Sequence, residues 1–206
     1  MADSEIKLVY FINQAGRAEA TRLLLAAAGK KYEEVNVNLE QWLQMKPTAP
    51  CGTLPIIEID GKRFGQSRAI ASYLAREFGM FGKQNLDGLK IDQTAQVAED
   101  FVLEFANKYY FAKDAEQKAK GAETLKKETA PKYLGFFEKY IQEEGTGFIA
   151  GSELTLGDIV VFDVCTGFLK PFVDDCLDNF PLVQALIKTV ESNDNIKQYL
   201  AKKKSP

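Results

Sequence analysis

Apolar and polar positions change period several times along the first 80 residues. Lys7 to Phe11 (KLVYF) is a short apolar run of strand composition. From Ala18 to Ala28 the period lengthens: Ala20, Leu23, Leu24 and Ala27 recur at i, i+3, i+4 and i+7, and Gly29 stands where a helix C-terminal cap belongs. Tyr32 to Val37 reads as a second strand, and a helix joining two strands makes them parallel with a right-handed crossover. Leu39 to Lys46 is a short, weakly marked helix carrying the single tryptophan, Trp42. Pro55 to Ile59 and Lys62 to Phe64 flank Asp60-Gly61, a strong hairpin signal. Ser67 is placed as the N-cap of a helix from Arg68 to Phe78, which Gly79 ends.

The order β-α-β-α-β-β-α, one parallel unit followed by one hairpin, is the thioredoxin topology. Gly79 to Asn85 reads as a linker, and beyond it strand signals disappear. Ala98, Phe101, Val102, Phe105 and Tyr109 form one helical stripe. Glu123 to Glu143 carries a long helix, with shorter ones at Phe162 to Phe168, Leu182 to Val190 and Ile196 to Leu200. The expected fold class is therefore an α/β thioredoxin-like N-terminal domain, residues 1–80, followed by an all-α helical C-terminal domain, residues 84–206.

Composition narrows the chemistry. Apolar residues at 46% and charged residues at 27% suit a soluble globular chain long enough to bury a sizeable core. A net charge of −3 gives no broad attraction to nucleic acid or to an anionic membrane surface. No apolar run reaches the roughly 18 residues of a membrane helix, and the polar opening Met1 to Lys7 is not a secretory leader. Cys51, Cys165 and Cys176 are odd in number and widely spaced, which argues against disulfides and zinc and for a reducing cytoplasm. The chain has no histidine, so His-dependent triads and nearly all transition-metal sites are excluded.

Chemistry near neutral pH must then come from hydroxyls, carboxylates, amines or backbone dipoles. The first strand–helix junction reads Tyr10-Phe-Ile-Asn-Gln-Ala-Gly-Arg17-Ala-Glu19 and has no cysteine, which disfavours disulfide exchange. Tyr10, at the end of the strand, is either a half-buried strand tyrosine or a phenol that donates to a neighbouring thiolate. Leu54-Pro55 opens a strand where a cis peptide would present backbone groups to an extended ligand. Gln66-Ser67 lies at a helix N-terminus, which attracts carboxylates, although Ser67 on its own is equally an N-cap. Thr155 and Asp158 have capping-box spacing, and their expected role is helix initiation.

Taken together, Tyr10-Phe11, Gly16-Arg17-Ala-Glu, Trp42 with Lys46, Gly52-Thr-Leu-Pro55, Asp60-Gly61, Gln66-Ser67 and the run Ala69 to Gly79 resemble the framework of sigma-class cytosolic glutathione transferases of the nematode and mollusc branch. Leu154-Thr155-Leu-Gly-Asp158 is similar to the same family's second-domain capping segment. The resemblance implies a transferase that joins the thiol of reduced glutathione to hydrophobic electrophiles, with Tyr10 stabilising the thiolate. It implies that Arg17 supports the thiolate or shapes the pocket, that Trp42 and Lys46 hold the glycine carboxylate, that Leu54 beside Pro55 meets the cysteinyl part, and that Gln66 and Ser67 bind the γ-glutamyl carboxylate. Asp100 would reach the γ-glutamyl amine of the neighbouring subunit of a homodimer. The electrophile is expected between the domains, against Phe11, Ala15, Gly16 and Val102.

Glutathione is a substrate here, and neither a further cofactor nor a metal is expected. The alternatives are a carrier of haem or another apolar ligand at the dimer cleft, without an imidazole to offer the iron, and a structural relative like the lens proteins of this class. Three positions depart from the family pattern: the stretch from Tyr10 to Gly16 is one residue longer than the pattern leads one to expect, Thr53 replaces a lysine of some relatives, and Cys51 stands where other classes place an aromatic docking residue.

Overall fold

The computed structural model describes residues 4–170 and 175–204. Strands β1 (Ile6–Phe11), β2 (Glu33–Val37), β3 (Ile56–Ile59) and β4 (Lys62–Gly65) form one sheet in the order β2-β1-β3-β4. β1 runs parallel to β2, with Val9 opposite Val35, and antiparallel to β3, with Leu8 opposite Ile57. The β3–β4 pair is the expected hairpin, and both turn residues adopt positive φ, 49° at Asp60 and 78° at Gly61.

Alternation along β1 sends its side chains to two different cores. Val9 packs with Val37, Trp42 and Ile56 on one face, whereas Leu8 and Tyr10 pack with Ala18 on the other. The second face is covered by α1 (Glu19–Ala27), whose Leu23, Leu24 and Leu25 are fully buried. α1 ends as its sequence requires: Gly29 adopts φ 61°, and the N–H groups of Gly29 and Lys30 bond the carbonyls of Ala26 and Leu25 at 2.8 and 2.9 Å. α2 (Leu39–Met45) starts at a capping box formed by Asn38 and Gln41. α3 (Ser67–Glu77) follows the hairpin, and the capping position is Gln66, so Ser67 is the first helical residue rather than the N-cap.

The chain divides into two compact units, Met1–Gly79 with Asn193–Pro206, and Met80–Ser192. The last helix, α9 (Asp194–Lys204), was read from the sequence as part of the helical segment 84–206. It belongs with the first unit because its polar side chains are used there: Asn195 bonds the Ala27 carbonyl at the end of α1, and Tyr199 and Lys203 reach Glu19.

The second unit contains α4 (Asn85–Phe105), α5 (Ala115–Thr124), α6 (Ala130–Glu144), α7 (Leu156–Asp163) and α8 (Pro181–Ser192). Its core is built from Ile91, Ala95, Ala98 and Phe101 of α4, Leu134, Phe137 and Ile141 of α6, and Leu156 and Ile159 of α7. π-helical turns at Ala106–Tyr110, Leu125–Thr129 and Val164–Phe168 interrupt the regular period. The long helix expected over 123–143 is therefore two helices joined through a π turn. Among the described residues, no helix is long and apolar enough to cross a membrane.

Candidate functional site

Tyr10 ends β1 and is 9% exposed, with its ring on the α1 face of the sheet. Its hydroxyl oxygen accepts the backbone N–H of Arg17 at 3.1 Å. The chain reaches that geometry through a turn closed by the Gln14 N–H on the Phe11 carbonyl at 3.3 Å, with Asn13 at φ 58°. Asparagine tolerates this left-handed conformation better than most residues.

Gly16 sits directly against the hydroxyl. Its φ is 44°, and a Cβ placed there would lie 2.6 Å from the Tyr10 oxygen. A side chain at residue 16 would therefore both strain the backbone and displace the phenol. The sequence reading assigned Gly16 to the electrophile pocket; its observed contact is with Tyr10. Ala15 beside it is half-buried, and its carbonyl oxygen accepts from Arg22 at 3.1 Å.

Phe11, half-buried, stands edge-on to both Tyr10 and Trp42, with ring centroids 6.0 and 6.3 Å apart. Trp42 is a core residue packed with Val9, Val37 and Ile56, while Lys46 caps the end of α2 with an exposed side chain. Leu54 packs against the cores on both faces of the sheet, and the Leu54–Pro55 bond is cis. Gln66 takes φ 71° and ψ 101°, an unfavourable conformation for a residue with a side chain, immediately before the first N–H groups of the eleven-residue α3. Such a residue at a helix N-terminus is the kind of local strain that marks ligand sites. The structure thus gathers Tyr10, Arg17, Trp42, Lys46, Leu54, Pro55, Gln66 and Ser67 within one unit.

Asp100 and Val102 lie on α4 in the other unit. Asp100 is exposed and accepts from Gln96 Nε2 at 3.3 Å, while its neighbour Phe101 is fully buried. Helical geometry therefore points Asp100 away from its own core, and Val102 is half-buried. Cys165 is buried, and burial pushes its thiol up to about 12, which keeps it protonated and inert. Cys176 is half-buried, with its thiol also raised by burial, and Cys51 is exposed.

Sequence reasoning passed over Arg22. This side chain is almost fully buried beside Tyr10, with its guanidinium carbon 5.6 Å from the ring centroid. The available signal was Glu19 and Arg22 at i, i+3 on the helix that follows the Gly16-Arg17 turn.

A thioredoxin-like sheet whose first junction carries a tyrosine and no cysteine pair, followed by a unit that is all-helical among the described residues, is the class of architecture this structure defines. Family models agree with that class: residues 6–76 match the glutathione S-transferase N-terminal domain, and residues 99–203 match its C-terminal domain. The chain belongs to the glutathione S-transferase family. Glutathione S-transferase 4 of Caenorhabditis elegans is 33% identical over 202 residues, 96% of each chain. The solved structure of prostaglandin synthase D of Nilaparvata lugens is 33% identical with a TM-score of 0.87, over 98% of this chain and 100% of that one. The Fasciola hepatica sigma-class enzyme is 30% identical with a TM-score of 0.86, over 98% of each chain, in line with the class resemblance of the motifs.

Proposed function

We propose that this protein conjugates the thiol of reduced glutathione to hydrophobic electrophiles, with Tyr10 stabilising the thiolate. The observation that carries this reading is the Arg17 N–H on the Tyr10 oxygen at 3.1 Å. A hydroxyl whose oxygen already accepts a hydrogen bond is polarised and becomes a better donor. Its proton can then hydrogen-bond the sulfur of glutathione and favour the ionised form, which is the nucleophile. The thiol proton leaves to solvent, the sulfur forms a bond to the electrophilic carbon, and a leaving group departs with its electron pair where the substrate carries one. Tyr10 keeps its own proton throughout.

In this reading the tripeptide is held by charge and backbone. Lys46 and the Trp42 indole take the glycine carboxylate, the Leu54 backbone pairs with the cysteinyl part beside Pro55, and Gln66 and Ser67 at the start of α3 take the γ-glutamyl carboxylate. On the first unit, Phe11, Ala15 and Gly16 face the electrophile in this reading. Glutathione is consumed as a substrate, so the mechanism calls for no cofactor and no metal. We place the protein in the cytoplasm as a homodimer in which Asp100 serves the γ-glutamyl amine of its partner's site. Exposed Phe64 and Tyr73, flanking a groove of about 600 Å³ beside Cys51, support such pairing. A fully active monomer in sedimentation would contradict the shared site.

The functional reading is tested by turnover with a chromogenic aryl halide, together with retention on immobilised glutathione. Retention with turnover is expected. Retention without turnover would make the protein a carrier, and failure to bind would remove the reading altogether.

A further inference from the structure

Arg22 projects from α1 into the interior of the first unit, with only 8% of its side chain exposed. Its Nη1 donates to the carbonyl oxygens of Gln14 and Ala15, each at 3.1 Å. Its Nε and Nη2 grip the Glu34 carboxylate at 2.9 and 2.6 Å, and Nη1 also meets Glu19 at 3.3 Å. The guanidinium lies beside the Tyr10 ring. The titratable and charged groups around it are Glu19 on its own helix, Tyr32 just before β2 and Glu34 on β2, Tyr199 and Lys203 on α9, and Tyr10 on β1. Burial opposes the charge of Arg22, but the hydrogen bonds and charge of Glu34 outweigh it and the guanidinium stays ionised.

The two carbonyls that Arg22 holds belong to the residues directly before Gly16 and Arg17. Gly16 packs on the Tyr10 hydroxyl, and the Arg17 N–H bonds it. We propose that Arg22 is a positioning residue for Tyr10: it anchors the Gln14–Ala15 turn to α1 and β2, and so fixes the backbone N–H that polarises the phenol. The inference rests on Tyr10 being the group that activates the thiol. Arg22 touches neither sulfur nor electrophile in this scheme. Its flat fork satisfies two carbonyls and a carboxylate at once, a geometry that lysine cannot reproduce.

The test compares Arg22→Lys, Tyr10→Phe and the double variant, reading the bound thiol's pKa from thiolate absorbance and kcat/KM against pH. Arg22→Lys is expected to keep the helical circular dichroism and glutathione retention. It should raise the bound thiol's pKa by about 0.5 to 1 unit and lower kcat/KM near pH 7 by about three- to ten-fold, the scale of one weakened hydrogen bond. In the Tyr10→Phe background the same change should have less than about a two-fold effect, because the group being positioned is gone. A wild-type pH profile in Arg22→Lys overturns the proposal, as does an equal penalty in both backgrounds, which is what a purely structural role would produce. If Tyr10→Phe itself leaves the thiol's pKa unchanged, the assignment of Tyr10 fails first and this inference falls with it. Should Arg22→Lys not fold, Glu34→Gln loosens the other edge of the same guanidinium. It is expected to shift the profile in the same direction, and an unchanged profile overturns the proposal.

Discussion

Each unit of the molecule buries charge, and the two do so with different partners. In the first, Arg22 is compensated by the opposite charges of Glu34 and Glu19, and Glu19 in turn receives Tyr199 and Lys203 from α9. In the second, Asp158 is fully buried and its partners are neutral: the N–H groups of Ile149 and Thr155 at 2.8 and 2.7 Å, and the Thr155 hydroxyl at 2.7 Å. The difference shows in the proton affinities. Opposite charges keep Arg22 ionised despite burial, whereas for Asp158 burial outweighs its hydrogen bonds and pushes the carboxyl up to about 6. The first cluster lies against the turn beside Tyr10; the second starts α7 and ties the preceding loop to it. Charge compensated by charge sits where geometry must serve chemistry, and charge compensated by backbone donors sits where the chain needs a fold anchor.

The largest effect should come from removing the anchor. Asp158→Ala leaves three buried donors unpaired and is expected to cost roughly 3 kcal/mol or more in urea unfolding, while the pH profile of conjugation in the folded fraction stays unchanged. Thr155→Ala removes one arm of the same box and should cost only about 0.5–2 kcal/mol. Equal unfolding midpoints for Asp158→Ala and the wild type would erase the contrast between the units.

A smaller effect lies in pH. The folded value of Asp158, about 6, exceeds its ordinary 3.8, so the folded state binds the proton more tightly than the unfolded chain does. Its contribution to stability is fully present below about pH 4 and is lost as pH rises through 6. The stability of the wild type relative to Asp158→Asn should therefore grow by roughly 1–3 kcal/mol between pH 7 and pH 4. Glu104 has the opposite sign. Hydrogen bonding from Lys108 leads in holding it near 2, so its contribution is present above its ordinary value and fades as pH falls through the folded one. Unfolding curves at pH 7 and pH 4 check the first direction, and curves continued from pH 4 down to about pH 2 for the wild type and Glu104→Gln check the second.

The smallest effect belongs to the rim of the first cluster. Lys203 is partly exposed, and its pairing with Glu19 is largely screened by solvent. Lys203→Ala should cost no more than about 1 kcal/mol and leave the conjugation pH profile in place. A large loss would mean that α9, and not Arg22 alone, holds the turn beside Tyr10.

What could be read from the sequence followed from locality. Strand alternation, the Asp60-Gly61 turn, the Gly29 cap and the Thr155–Asp158 box each depend on residues a few positions apart, and all four stand in the structure. The Ile149 N–H on Asp158 comes from nine residues away and was out of reach. The π turns were missed because a 3.6-residue period cannot register one wider turn inside a helix. Ser67 was placed one position early because serine is a common N-cap, whereas Gln66 holds that position at positive φ. The missing cysteines at the first junction spoke only against disulfide exchange; the role proposed for Tyr10 came from the family resemblance, since the residue by itself reads equally as a half-buried strand tyrosine. For Arg22 only the Glu19 pairing at i, i+3 was local; its other partners come from a turn and from a parallel strand that only the folded chain brings together.

The central claim is that the Tyr10 hydroxyl lowers the pKa of bound glutathione. Thiolate absorbance of the complex, titrated against pH for the wild type and Tyr10→Phe, tests it most directly. The substitution removes one hydroxyl and leaves the ring's packing with Leu8 and Ala18 in place. A hydrogen bond to a charged group contributes roughly 1.5–3 kcal/mol, equivalent to about one to two pKa units. The account predicts a rise of that size in the variant, with conjugation partly recovered in alkaline buffer. Superimposable titrations with unchanged turnover would show that another group activates the thiol.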